Sequence, residues 1–431
     1  MTREPEQTTR ATGAGPAVPA GTAAAPLRGM RIVELSAFVA APLCGLTLAQ
    51  LGADVIRVEP IGGQVDRTRW PLAPSGTSLY WTGLNKGKRA IEVDLRSAEG
   101  RALVTDLITG GGPRGGIVVT NAELPGLAYE DLRAHRPDLV YVRLTGRWDG
   151  RTAVDYTVNA ETGMPAITGP AGVDGPVNHV LPAWDVAAGL YLAVGLLAAE
   201  RHRLLTGEGQ QVTVALHDVA LATVATLGYL ADAQLGGRPR AKDGNHVYGT
   251  YGRDFPTADG HRVMLVVLTA RHWRDLLDLT GLGEAFAAVE RALGADFTRE
   301  GDRYAHRAVI DALLEPWFAA RPLAEIEAEL SARRLLHAPY RTFEELAADP
   351  AALLAANPVL ALLDQPGVGP HLASRSPLVM NGERGDAHPA PSVGQHTDEV
   401  LTEVLGRSPE HVAALREKGV VGRNRPASKE D

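Results

Sequence analysis

Short runs of β-branched and aliphatic residues alternate with longer Ala- and Leu-rich stretches from Leu27 onward. Arg31–Leu35 (RIVEL) and Ala53–Val58 (ADVIRV) predict strands, and Ala40–Leu51 between them predicts a helix that Gly52 ends. A strand, a helix and a strand in so short a span make a parallel crossover unit. The pattern returns further on. Ala90–Asp94 (AIEVD), Gly116–Thr120 (GIVVT) and Leu139–Leu144 (LVYVRL) predict strands, with helices over Ala98–Ile108 and Leu127–His135. This alternation predicts an α/β fold with an open, mainly parallel sheet of Rossmann-like type. Such sheets bind ligands beyond the carboxyl ends of their strands.

The pattern then changes. Thr145–Pro182 is rich in Gly, Pro and Asn and reads as loop. A long helix is predicted over Val186–Leu204, a turn at Thr206–Gly209, a strand over Gln211–Ala215 and a helix over Asp218–Ala233. Gly236–Gly252 is glycine-dotted and polar, as in a linker or mobile loop. Arg262–Leu268 (RVMLVVL) reads as a strand opening a smaller domain, followed by helices to about Ala348. Asn357–Pro391 reads as a long extended connection, and His396–Lys418 as an amphipathic helix. Residues 1–26 hold little apolar bulk and much Ala, Gly and Pro, and read as a disordered tail, as do residues 421–431.

A length of 431 residues allows two or three domains. The net charge of -8 argues against a nucleic-acid partner, which needs a basic surface. The single cysteine, Cys44, admits no intrachain disulfide, fits a cytoplasmic protein, and reads as a buried inert thiol. The apolar stretch Ala187–Ala199 is broken by Gly189 and Gly195 and followed by Glu200, Arg201, His202 and Arg203. It predicts a buried core helix rather than a membrane span. No G-x-G-x-x-G follows the first strand, no P-loop or G-x-S-x-G elbow occurs, and the 13 histidines form no metal-ligand pattern.

Asp185, just before the long apolar helix, admits two compatible readings. It is an N-cap accepting backbone N–H groups, or a carboxylate kept ionised by the helix dipole and available as a nucleophile. Lys86, Lys88 and Arg89 lie on a Gly-interrupted turn. They are a solvated loop or a phosphate-binding cluster.

Several blocks resemble one family. Leu27–Glu59 is similar to the opening of the family III CoA-transferases, which include formyl-CoA, carnitine-CoA and bile-acid-CoA transferases. Asn85–Asp94 (NKGKRAIEVD) resembles the family's N-x-x-K-R strand, and Asn121–Gly126 (NAELPG) its N-F-x-P-G segment. Pro182–Asp218 resembles its catalytic block, with Asp185 on the catalytic aspartate. The resemblance covers about residues 27–420. It implies a large Rossmann-like CoA-binding domain over 27–225, a smaller α+β middle domain over 226–350, and a C-terminal segment over 351–420 returning to the large domain. It implies an interlocked homodimer and an acyl-CoA substrate, with coenzyme A entering as part of that substrate, no tightly bound cofactor and no metal. Asp185 is then the nucleophile, and Lys88, Arg89 and Asn121 are CoA-binding.

Further segments resemble a branch of the family that moves CoA between the two carboxyl groups of one unsaturated dicarboxylic acid. They are Ser36–Pro42, Trp70-Pro71, Val154–Val158, Asn178–Asp185 and Tyr248–Phe255. Where formyl-CoA transferases carry a glutamine and an arginine, this chain has Val39 and Pro60. Where the racemase branch carries a histidine base it has Val154, which accepts no proton. A dicarboxylate needs a cation for its free end, and His179, Arg147 and Arg253 are the candidates. Gly244–Gly252 is a candidate lid and source of N–H donors to an oxyanion. An intermolecular CoA-transferase and a non-catalytic CoA-binding protein are the alternative readings.

Overall fold

The computed structural model describes residues 25–236 and 239–422. The expected tails fall almost wholly outside the described residues. Val421, however, bridges to Val93 and is buried, so the C-terminal segment is tied down further along than expected. Of the described residues, those within Met1–Thr152, Asp185–Leu216 and Leu354–Asp431 form one compact unit. Those within Ala153–Trp184 and His217–Leu353 form a second. Ala153–Trp184, read from sequence as part of the large domain, therefore groups with the second unit.

The first unit is built on β1 (Arg31–Leu35), α1 (Ala40–Ala49), β2 (Asp54–Glu59), α2 (Leu79–Leu84), β3 (Arg89–Glu92), α3 (Ala98–Thr109), β4 (Ile117–Thr120), α4 (Tyr129–Arg133) and β5 (Val140–Thr145). Beyond α5 (Asp155–Glu161) and α6 (Met164–Ile167), which lie in the second unit's segment, come α7 (Ala183–Thr206) and β6 (Gln210–Ala215). The strands form one parallel sheet in the order β3-β2-β1-β4-β5-β6. This is the open, parallel sheet of Rossmann-like type that the alternation predicts. Its strand order reverses between β1 and β4, where such sheets open a crevice. Val33, Ile56, Ile91, Val118 and Tyr141 pack against Leu103, Leu107, Leu132 and the C-terminal residues Leu401, Val412 and Leu415.

The C-terminal segment departs from expectation twice. Within Asn357–Pro391 the alternating sequences Leu360–Gln365 and Gly369–Ser374 pair as an antiparallel hairpin, so this stretch is more than an extended connection. The helix expected over His396–Lys418 breaks at Gly406. Ser408 caps a new helix, Pro409–Glu417, with proline in its first turn.

In the second unit, α8 (Leu216–Thr226) and α9 (Tyr229–Leu235) are separated by Gly228 in a left-handed conformation, where one helix was expected. β7 (Tyr251–Pro256), β8 (Arg262–Val267) and β9 (Leu336–Pro339) form an antiparallel sheet. Their inner face packs Tyr251, Phe255 and Leu265 against Trp273, Phe286, Phe297 and Phe318. The stretch Tyr251–Phe255 is thus a core strand rather than part of a mobile loop.

Candidate active site at the carboxyl ends of the parallel strands

α7 begins at Ala183, so Asp185 is its third residue and not its N-cap. The chain turns helical early because Trp184 is anchored within the second unit. Its N–H donates to Asp155 Oδ2 at 2.8 Å, and its indole N–H to Asn159 Oδ1 at 3.1 Å. In the first turn of a long helix, Asp185 faces the positive end of the dipole, which favours the ionised carboxylate. One turn on, Gly189 lies on the same stripe of α7. A Cβ there would come within 2.7 Å of the Ala40 carbonyl oxygen and 3.1 Å of the Leu43 side chain. Gly189 of α7 therefore meets the first turn of α1. The absence of a side chain at position 189 permits that approach.

The loop entering α1 is held from two sides. Asn121, at the end of β4, accepts from the Ala37 N–H (3.1 Å) and donates to the Ala37 carbonyl (2.8 Å). Asp66 Oδ2 accepts from the Phe38 N–H at 2.8 Å. Phe38 has φ 69°, a left-handed conformation that costs a non-glycine residue about 1–3 kcal/mol. These bonds compensate, and they turn the half-exposed Phe38 ring outward. The N-cap residue Val39 makes no side-chain cap bond and the first turn of α1 has no acid, so among the described residues its leading N–H groups have no local side-chain acceptor.

Beneath the loop lies a buried ionic network. Arg57 donates to Glu34 (2.8 Å), Glu59 (3.2 Å) and Asp66 (3.4 Å), and Arg67 to Glu59 (2.6 Å). Lys88 pairs with Glu34 at 2.9 Å. Three cations balance three carboxylates, which is what makes such burial tolerable. Burial alone would lower the Arg57 pKa, but Glu34, Glu59 and Asp66 outweigh it and hold it raised. Burial pushes Asp66 up, partly offset by Arg57 and the Phe38 N–H. Gly45 of α1 leaves the room: a Cβ there would sit 1.8 Å from Glu34 Oε2.

The predicted site residues distribute unequally. Asp185, Asn121 and Arg147 lie in the first unit. Asn121 acts on the Ala37 backbone at the strand ends, and partly buried Arg147 follows β5. Lys88 is neither on a solvated loop nor open to a phosphate. It is buried, and its ammonium donates to Glu34, to the Pro42 carbonyl and to Asn85 Oδ1, which uses all three donors. Burial pushes its pKa down to about 8, against the pull of Glu34. Arg89 stands at the opposite, amino edge of the sheet, paired with Asp54 (2.5 Å) and Glu399 (3.0 Å). The geometry supports structural roles for both. His179 lies in the second unit, edge-on to Trp184 with ring centroids 6.4 Å apart. Arg253 is also there, on β7, bound to Asp311 (3.1 Å) and lying over Phe255. Its charge is already matched, and it belongs to a core strand rather than a lid.

Residues 27–397 match CoA-transferase family III. The chain belongs to this family. It is 50% identical over 92% of its length, and 97% of the other, to 2-methylfumaryl-CoA isomerase of Chloroflexus aurantiacus. It is 31% identical to a succinyl-CoA:mesaconate CoA-transferase of Haloarcula marismortui, covering 88% of this chain and 96% of that one. Among solved structures it resembles a CAIB/BAIF family protein from Brucella suis, with TM-score 0.72 and 28% identity over 88% of this chain and 99% of that one. Sequence reasoning missed Arg57 and Asp66, although a charged residue inside an apolar strand (ADVIRV) is a legible sign of a buried ion pair. α7 is long and apolar enough to cross a bilayer by length and composition. Yet it packs on α1 through Gly189 and carries the buried pair Arg203–Glu200 at 2.5 Å.

Proposed function

We propose that this chain moves CoA between the C1 and C4 carboxyl groups of mesaconate within one molecule, as a 2-methylfumaryl-CoA isomerase. The observation that carries this is the 50% identity to such an enzyme along nearly the whole of both chains. An Asp185 carboxylate oxygen attacks the thioester carbonyl of mesaconyl-C1-CoA. The C–S bond breaks, leaving a mixed anhydride and CoA thiolate. The thiolate attacks the Asp185 carbonyl, the anhydride C–O bond breaks, and mesaconate is released beside an aspartyl-CoA thioester. The other carboxylate then attacks that thioester, and the two steps reverse to give the C4 thioester and a free Asp185. No net proton is moved, and one hard exchange is divided into easier ones. The positive end of the α7 dipole favours a carboxylate at Asp185, and the N–H groups at the start of α1 are suited to the oxyanion. The working form is a cytoplasmic, interlocked homodimer.

A second reading, intermolecular transfer, is favoured by the similarity to succinyl-CoA:mesaconate CoA-transferase. One experiment separates the two. Mesaconyl-C1-CoA is converted in the presence of excess labelled mesaconate, and the C4 thioester is analysed by mass spectrometry. Intramolecular transfer leaves the product unlabelled, whereas substantial label establishes exchange with free acid.

A further inference from the structure

Beside the Phe38 loop of the first unit stands a cation, Arg69, that the ionic network leaves unmatched. Arg57, Arg67, Lys88 and Arg89 each pair with a carboxylate. Arg69 does not: among the described residues, no carboxylate lies within salt-bridge distance of it. Its exposed guanidinium instead sits over two aromatic rings, 5.0 Å from the centre of Tyr80 and 5.6 Å from that of Phe38. Stacking of this kind fixes the plane of the guanidinium while leaving its edge donors free. Phe38 is the residue forced into a left-handed conformation by the Asp66 bond, next to Ala37, which Asn121 grips. Strain maintained by clamps on both sides points to a ring whose position matters. Two residues later the chain reaches Ala40, whose carbonyl oxygen Gly189 of α7 approaches one helical turn after Asp185. A fixed, unneutralised planar cation thus stands beside the loop that meets the nucleophile's helix.

We propose that Arg69, braced by Phe38 and Tyr80, binds the free carboxylate of the dicarboxylic acyl group while the other end is joined to CoA or to Asp185. The proposal rests on the mesaconyl-CoA reading. A planar fork suits a carboxylate, and its two edge bonds would also hold the released dianion until CoA returns to its other end. Asp66 and Asn121 act through Phe38 as positioning residues.

The test compares mesaconyl-C1-CoA, 2-methylcrotonyl-CoA (the same skeleton with methyl in place of the free carboxylate) and free CoA. Dissociation constants are measured by calorimetry on full-length wild type, Arg69→Gln and Arg69→Lys. Arg69 is exposed, so these variants should fold, which circular dichroism checks. Loss of a charge-assisted bond corresponds to about tenfold to a hundredfold in affinity. The expected result is that loss for mesaconyl-C1-CoA in Arg69→Gln, a smaller one in Arg69→Lys, and changes within about twofold for the other two ligands. Equal weakening of all three would assign Arg69 to the CoA phosphates and overturn the proposal, as would no change in any. If wild type fails to interconvert the C1 and C4 thioesters, the isomerase reading falls separately. The binding ratio of mesaconyl-C1-CoA to 2-methylcrotonyl-CoA still decides on Arg69.

Discussion

Asp185 and Lys88 are both charged side chains in the first unit, but the structure gives them opposite kinds of consequence when changed. Asp185 is half-buried in the first turn of α7, and the helix-dipole part of its contribution is about 0.3–1 kcal/mol. Asp185→Asn and Asp185→Ala should lose turnover, because neither side chain attacks a thioester, and circular dichroism checks that each variant folds. Turnover within about tenfold of wild type in a folded variant would remove Asp185 from the nucleophile's role. Lys88 is buried among Glu34, Asn85 and the Pro42 carbonyl. Removing one member of a buried pair costs roughly 3–5 kcal/mol. Lys88→Met should lower the denaturation midpoint clearly, and adding Glu34→Gln should cost less than the two changes summed. Strict additivity would show that the pair is not coupled. From sequence, Lys88 was indistinguishable from a phosphate-binding lysine. The difference lies in Gly45 and Glu34, distant in sequence, which together make a closed niche for it.

At the scale of elements, the parallel strands were legible because each is an apolar run bounded by turn residues. Their partners on the edges were not. The free edge of β3 is covered by the segment around His396, whose ring Nδ1 accepts from the Ala90 N–H at 3.2 Å while the His396 backbone N–H donates to the Ala90 carbonyl. No periodicity announces such a contact between residues so far apart. It also carries a pH dependence. Burial lowers the His396 pKa from its ordinary 6.5, with Glu399 opposing. A histidine with a depressed folded pKa contributes fully above the unfolded value and loses that contribution as pH falls through the folded one. Protonated Nδ1 can no longer accept. The Ala90 amide should therefore exchange faster with solvent as pH falls from 7 to 5, after correction for intrinsic exchange, and His396→Gln should flatten the response. Equal protection at both pH values in wild type would contradict this. The hairpin over Leu360–Ser374 was missed for a different reason: its alternation is short and embedded among prolines and glycines, which mimic an extended connection.

For the whole molecule, the proposed interlocked homodimer makes a kinetic prediction. The chain passes between its two compact units four times, at 152/153, 184/185, 216/217 and 353/354, so it forms loops anchored in folded structure at both ends. α7 carries Leu190, Tyr191 and Val194 along one exposed stripe, at 48%, 56% and 63% exposure, with Leu204 and Leu205 near its end. Contiguous apolar surface of this kind marks an interface. A side-by-side dimer using that surface would release its subunits on dilution and let them recombine. Chains threaded through each other's anchored loops cannot separate until those loops open, which requires unfolding. The two arrangements differ in kinetics even where their affinities agree. Tagged and untagged dimers, mixed at native pH and purified on the tag after a day, should show no mixed species. Mixing in denaturant and refolding together should give tagged, mixed and untagged dimers near the 1:2:1 ratio of random pairing. Mixed dimers forming under native conditions on the timescale of simple dissociation would rule out the interlocked arrangement and leave the α7 stripe as an ordinary surface contact.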